Sequence, residues 1–141
     1  MRAPDPVAVT LTPRDYAILR GIALHRPLAP RGYYTLLHAR LLSAEIVAAV
    51  DADVVTLDST VRYRVGAGSV LEHQLVLGSF DALMGKRLSV RTLVGVAMLG
   101  ARKADAIALP GPDAQQVVIE AVSQPPPAEP RPRLPGRQLQ S

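Results

Sequence analysis

The chain has 141 residues and a formal net charge of +4, and 48% of its residues are hydrophobic. This composition fits one domain whose core is aliphatic, because only 4% of the residues are aromatic. The absence of cysteine excludes disulfides and thiolate metal sites. No uncharged apolar run reaches the length of about 18 residues that a membrane span needs. The first residues lack the layout of a secretory signal, so we expect a cytoplasmic protein.

Two short helices are predicted near the beginning of the chain. Thr12 and Pro13 are typical of an N-cap and of the first helical position. Apolar residues follow at helical spacing up to Ala23, and a second stripe runs from Tyr34 to about Val47. Prolines in the connecting residues end the first helix. We therefore predict a short helical hairpin over residues 1–50.

From Asp53 onward the pattern is that of β-strands. Thr92 is a predicted N-cap for one short helix over residues 93–99, which Gly100 ends. Many strands with one short helix indicate an α+β fold whose sheet is mostly antiparallel, over residues 53–123. The predicted strands are residues 54–57, 61–65, 71–77, 88–90, 106–109 and 117–122.

The last part of the chain, residues 124–141, is rich in proline and arginine. Proline at this density removes backbone donors and fixes φ, so neither a helix nor a sheet ladder forms readily. We predict a disordered or polyproline-II-like tail.

Positive charge lies mainly at the two ends of the sequence. Residues 1–42 have a net charge of +4, residues 43–123 of −2 and residues 124–141 of +2. A nucleic-acid-binding domain usually concentrates positive charge on a folded face, often with aromatic residues for stacking. The slightly acidic central region therefore argues against direct binding of nucleic acid.

No arrangement typical of an enzyme or a metal site is found. His25, His38 and His73 are scattered and have no metal-ligand spacing. Ser59 and Ser89 lack a nearby histidine or carboxylate that would activate a nucleophile. The sequence contains no glycine-rich phosphate motif. We therefore predict no catalytic residues, no metal and no cofactor.

Residues 53–63, DVVTLDSTVRY, resemble the opening of the C-terminal domain of Gre-type transcript-cleavage factors and of the regulator of nucleoside diphosphate kinase. Residues 88–90 (LSV), Thr92 and residues 98–102 (MLGAR) are similar to the second signature of this family. Residues 104–107 (ADAI) and 117–122 (VVIEAV) continue the resemblance in the same order. The similarity covers roughly residues 53–123.

This resemblance implies an FKBP-like fold and binding to RNA polymerase at the rim of its secondary channel. An FKBP-like fold also suggests a prolyl isomerase, but that activity needs an aromatic-lined pocket, for which the domain offers Phe80 and Tyr63 at best. Two residues depart from the family. Leu93 stands where the family usually has proline, and Ala104 stands where it has glycine. The candidate polymerase-binding residues are Ser89, Arg91, Thr92 and Leu93.

In Gre factors, acidic residues at the tip of a long helical hairpin hold the metal used for transcript cleavage. The corresponding tip here, residues 25–32, has Arg26 and Arg31 and no carboxylate. Divalent metals need carboxylate oxygens, so the sequence predicts no stimulation of cleavage. The two arginines are either contact residues or a solvated turn. The partner is RNA polymerase on the first hypothesis and nucleoside diphosphate kinase on the second, and the third hypothesis is a general protein-interaction module.

Overall fold

The computed structural model describes residues 9–78, 83–84, 86–111 and 115–125. This part of the chain has an α+β fold, with three helices and eight strands. The helices are α1 (Pro13–His25), α2 (Tyr33–Leu42) and α3 (Leu93–Met98). The strands are β1 (Val9–Leu11), β2 (Ala44–Ile46), β3 (Thr60–Val65), β4 (Leu71–Val76), β5 (Leu83–Met84), β6 (Arg87–Ser89), β7 (Ala106–Ala108) and β8 (Gln116–Ser123).

The main sheet has six strands in the order β5-β6-β4-β3-β8-β7. Every neighbouring pair is antiparallel except β4 and β6, which are parallel. The prediction of a mostly antiparallel sheet with one short helix is therefore confirmed. A turn joins β3 to β4, with Gly66 at a φ of 58°, a conformation that glycine adopts without steric cost.

The end of α2 differs from the prediction. The helix does not reach Val47 but ends at Leu42, and the chain then forms β2, which pairs in parallel with β1. The amide of Val47 donates to the carbonyl of Leu11 at 2.9 Å and extends this pairing. The apolar spacing typical of a helix continues past Leu42. The backbone of residues 44–46 nevertheless forms hydrogen bonds with β1, the strand that precedes α1.

The predicted strand over residues 54–57 is also wrong. Val54 makes one isolated bridge with Arg102, and the chain then turns. The Ser59 hydroxyl accepts from the Thr56 amide at 2.8 Å and donates to the Thr56 carbonyl at 2.5 Å. Asp58 has a φ of 76°. Local bonds of a serine hydroxyl thus replace a strand ladder, although the segment is apolar and mostly buried.

One hydrophobic cluster joins the helices and the sheet. It includes Leu19 and Leu37 from α1 and α2, Val61 and Leu75 from the central strands, and Met98 from α3, none of which is exposed to solvent. The division of the chain into a helical hairpin over residues 1–50 and a sheet domain over residues 53–123 stays a prediction. The longest helix among the described residues, α1, has 13 residues, and no helix in this part is long and apolar enough to cross a membrane.

Gln124, the first residue of the predicted tail, is bonded to the folded part of the chain. The Gln124 side-chain amide donates to the carbonyls of Ala52 and Val54 at 3.1 and 2.6 Å, and its oxygen accepts from the Thr56 hydroxyl at 3.0 Å. These bonds hold Gln124 against the segment before β3, and the domain limits at residues 123 and 124 stay a prediction. The rest of the predicted tail, from residue 126, lies outside the described residues.

Candidate functional site

Residues 89–93, which we call the capping loop, run from the last residue of β6 to the first residue of α3. The Thr92 hydroxyl accepts from the amide of Gly95 at 3.0 Å and caps the helix as predicted. The same hydroxyl donates to the carbonyl of Ser89 at 2.7 Å, and the Thr92 amide donates to that carbonyl at 3.1 Å. The Ser89 carbonyl thus accepts two bonds from one residue, which fixes the direction in which the chain enters α3.

Of the four predicted contact residues, Ser89 is buried and the other three are half-buried. The Ser89 hydroxyl accepts from the Arg91 amide at 3.0 Å and donates to the carbonyl of Gly78 at 3.2 Å. With 2% of its surface exposed, Ser89 shapes the capping loop from inside. Arg91, Thr92 and Leu93 form the part of the loop that a partner can reach.

The capping loop is attached to α2. The hydroxyl of Tyr33, the first residue of α2, donates to the carbonyl of Val90 at 3.0 Å. Burial raises the pKa of Tyr33 to about 12, because desolvation disfavours the phenolate. The phenol therefore stays a donor at neutral pH. Nothing in the local pattern around Tyr33 indicates this bond, which spans 57 residues.

The link between α1 and α2, residues 26–32, lies beside the capping loop. The guanidinium of Arg26 lies over the ring of Tyr34, 4.3 Å from its centre, and the Tyr34 hydroxyl donates to the carbonyl of Pro27. The Tyr34 ring in turn meets that of Tyr33 edge-on at 5.3 Å. The two predicted candidate regions are thus joined through a tyrosine pair. Arg31 is exposed on the same link.

A groove of about 320 Å³ separates α1 from the capping loop. Its lining is mostly apolar, and a Cβ atom added at Gly21 would meet no other atom within 4 Å. Among the described residues that line it, the polar side chains are those of His25 and Arg91, and none is acidic. The lining residues are Ile18, Gly21, Ile22, His25, Pro27, Leu77 and Arg91.

Two buried charged residues are not indicated by the sequence. Asp15, which is 2% exposed, accepts from the amide of Leu57 at 3.2 Å and ties α1 to the turn before β3. Burial raises the pKa of Asp15 above its ordinary value, while the bond from Leu57 opposes the shift. Beside it, Arg14 and Asp58 form an exposed ion pair at 3.0 Å.

The second residue is Arg40 of α2, which is 4% exposed. Its guanidinium donates to the carbonyl of Leu99 at the end of α3, at 2.6 Å. Burial lowers the pKa of Arg40 to about 10, so the side chain keeps its charge at neutral pH. Tyr33 and Arg40 therefore hold α2 against the two ends of α3, through Val90 and Leu99.

The histidine of β4, His73, has a hydrogen-bond partner on the neighbouring strand. The Tyr63 hydroxyl and Nδ1 of His73 are 2.8 Å apart. In the described part of the chain, no three histidine, aspartate or glutamate side chains form a group suited to a metal ion. Phe80, the other aromatic residue considered for a pocket, lies outside that part.

Neither a known protein-family model nor a curated protein matches the chain. Solved structures of transcription elongation factors do. A prokaryotic transcription elongation factor GreA/GreB from Nitrosomonas europaea is similar over 82% of this chain and 98% of that chain, with a TM-score of 0.60 and 29% identity. GreA factor homolog 1 of Thermus thermophilus and Gfh1 of Thermus aquaticus cover the same shares, at TM-scores of 0.38 and 0.42 and identities of 19% and 18%.

Proposed function

We propose that this protein is an RNA-polymerase-associated transcription factor. On this proposal it binds at the rim of the secondary channel and acts by binding, without stimulating transcript cleavage. The observation that carries the proposal is the similarity to the Nitrosomonas elongation factor, which extends over nearly all of that chain. The resemblance of residues 53–123 to Gre C-terminal domains points to the same partner independently of the structure.

The capping loop is the proposed contact with polymerase. Its backbone is held by bonds from Thr92 within the loop and from Tyr33 outside it. A loop held in this way loses little conformational entropy on binding, which favours affinity. Arg91 and Leu93 supply a charged and an apolar contact, and Ser89 keeps the loop in shape.

The link of residues 26–32 supports the absence of cleavage stimulation. It has no carboxylate to coordinate a divalent cation. Arg26 and Arg31 would repel a cation there, and Arg26 is already engaged with the Tyr34 ring. The proposed protein therefore occupies the rim site without supplying the metal ligands that cleavage needs.

The test uses backtracked transcription complexes. The protein alone should leave the transcript intact, and when titrated against a fixed concentration of a Gre factor it should slow the cleavage that the factor stimulates. Arg91→Glu should weaken this competition, and more so at low salt, because salt screens the attraction between surface charges over about 10 Å at 0.1 M ionic strength. Arg62→Glu, at an exposed position in β3, is the matched control and should compete as the unchanged protein does.

Two results would contradict the proposal. Efficient cleavage with the protein alone would refute the argument from the link, and undiminished Gre-stimulated cleavage at saturating protein would exclude a shared rim site. An affinity capture from cell extract separates the remaining hypotheses. Polymerase subunits support the proposal, whereas capture of nucleoside diphosphate kinase without polymerase supports the kinase-regulator hypothesis.

A further inference from the structure

The groove between α1 and the capping loop has the form of a docking site. Its apolar walls are open to solvent, and Leu77 on its edge is 52% exposed. Leu28, which follows Pro27 of the lining, is 85% exposed. Large apolar side chains clustered at a concave surface mark interaction sites more often than isolated ones do.

The charges near the groove indicate the chemistry of its occupant. Residues 16–44, which include most of α1, the link and all of α2, contain no aspartate or glutamate. Arg91 lines the groove, and Arg20 and Arg31 are exposed on α1 and on the link. Clefts bordered by one sign of charge attract ligands of the opposite sign. The occupant is therefore expected to carry carboxylates or phosphates.

The residues that line the groove favour a protein that carries carboxylates over a nucleic acid that carries phosphates. Sequence-tolerant binding of single-stranded nucleic acid relies on aromatic side chains on which bases stack. The described lining contains no tyrosine, phenylalanine or tryptophan, and the rings of Tyr33 and Tyr34 are engaged with each other. Aliphatic walls instead suit aliphatic side chains of a protein. The volume of about 320 Å³ is at the lower end of the roughly 300–1,000 Å³ of ligand pockets, enough for a few side chains.

We propose that the groove of Ile18, Gly21, Ile22, Pro27 and Leu77 binds a segment of RNA polymerase that presents an apolar side chain flanked by carboxylates. The inference rests on the proposed function and adds to it a second contact, made by α1 and adjoining the capping loop, whose Arg91 also lines the groove. Gly21 is the position that keeps this groove open. A glycine inside a helix destabilises it relative to alanine, and here no neighbouring atom needs the space.

The test fills the groove with a side chain while leaving the fold intact. Gly21→Leu places four carbons in the open space, and leucine is a better helix former than glycine. Its unfolding temperature should therefore be at or above that of the unchanged protein. Its affinity for core RNA polymerase without nucleic acid should be about ten to a hundred times weaker, the range expected when one buried aliphatic side chain is lost from an interface.

Ala17→Leu is the matched control, since it adds the same side chain to an exposed position of α1 outside the groove. It should bind polymerase as the unchanged protein does. Binding of the unchanged protein should also weaken with salt, because acidic groups of the partner meet the arginines. Equal affinity of the Gly21→Leu variant and the unchanged protein would overturn the inference and leave the proposed function standing.

Two further outcomes are distinguishable. If the unchanged protein fails to bind core polymerase, the proposed function and this inference both fail. If a single-stranded RNA oligonucleotide binds the unchanged protein and Gly21→Leu weakens that binding while polymerase binding is unaffected, the occupant is nucleic acid and the inference is wrong.

Discussion

Gly95 in α3 is a position at which one added methyl group should disrupt the packing of the candidate site. A Cβ added there would lie 2.1 Å from the carbonyl oxygen of Ser89 and 2.9 Å from the Thr92 hydroxyl. The first of these atoms belongs to the backbone, so no side-chain rotation relieves the contact. In Gly95→Ala the capping loop must move away from α3 by about 1 Å or more to restore an ordinary contact distance.

The cost follows from the bonds that this movement breaks. Overpacking a core by one methyl group costs about 1–3 kcal/mol. The Ser89 carbonyl accepts two bonds from Thr92, each worth about 0.5–1.5 kcal/mol. The higher helix propensity of alanine offsets up to about 1 kcal/mol of this loss of stability. Gly95→Ala should therefore lower the free energy of unfolding by about 1–5 kcal/mol, with a central value of about 3 kcal/mol.

Gly21→Ala is the matched control, because it makes the same change in another helix where the new methyl group meets nothing within 4 Å. It should raise the free energy of unfolding by about 0.5–1 kcal/mol. Urea denaturation measures both variants, provided that the slope of the transition stays constant. If Gly95→Ala is as stable as Gly21→Ala, the close packing of α3 on the capping loop is not what holds this region.

Two further predictions concern buried polar groups. Tyr33→Phe leaves the carbonyl of Val90 without its donor and should cost about 1–3 kcal/mol in urea denaturation. Since the pKa of Tyr33 is raised to about 12 in the folded protein, its contribution is complete below pH 10 and is lost as the pH rises through 12. The variant should therefore lose less stability than the unchanged protein over that interval, and equal losses would contradict the argument. Asp15→Asn tests the opposite end of the pH range. Because the folded state raises the pKa of Asp15 above its ordinary value of 3.8, folding favours the protonated carboxyl, and the unchanged protein should gain stability relative to the variant as the pH falls from 7 towards 4. A difference that does not change with pH would show that this carboxyl has an ordinary pKa in the folded protein.

The sequence predicts best those structural features that depend only on residues close together in the chain, such as helix caps and turns. Thr12 and Thr92 are recognisable as N-caps because a cap needs only a hydroxyl at one position and amides two or three residues later. Both accept the predicted type of bond, from Asp15 and Gly95. The turn at Gly66 is predictable for the same reason, since its signal lies within a few residues.

The failures lie where distant backbone groups compete for the same segment. Residues 9–11 and 44–46 form strands only because they meet across α1 and α2, and neither segment is long enough to indicate a strand by itself. Residues 54–57 have strand composition, but a serine hydroxyl bonds their backbone locally. The spacing of apolar residues shows which side chains can share a buried face. It does not show which backbone carbonyl accepts a hydrogen bond from which amide.

The candidate site is predictable only in part for the same reason. Composition and resemblance indicate the capping loop and the link separately, but not their proximity. Their proximity depends on two long-range hydrogen bonds. Tyr33 donates to the carbonyl of Val90, 57 residues away, and Arg40 donates to the carbonyl of Leu99, 59 residues away. A backbone carbonyl is present at every residue, so the acceptor side of such a bond leaves no signal in the sequence.

These contacts also hold the backbone near Leu93 and Ala104, the two residues that differ from the Gre pattern that the sequence resembles. At the first position of a helix the amide needs no partner within the helix, so proline there serves mainly to fix φ. With Leu93 at this position, the Thr92 cap and the bond from Tyr33 to Val90 hold the loop instead. The entry into α3 is therefore fixed without proline.

The second departure has a measurable backbone cost. Ala104 has a φ of 78°, a left-handed conformation that costs a residue with a Cβ about 1 kcal/mol relative to glycine. Two bonds hold it there. Its amide donates to the carbonyl of Ile119 at 2.8 Å, and the Asp105 carboxylate accepts from the Arg102 amide at 3.0 Å. The first of these bonds attaches the turn before β7 to β8, and both hold Ala104 in a conformation that its side chain opposes.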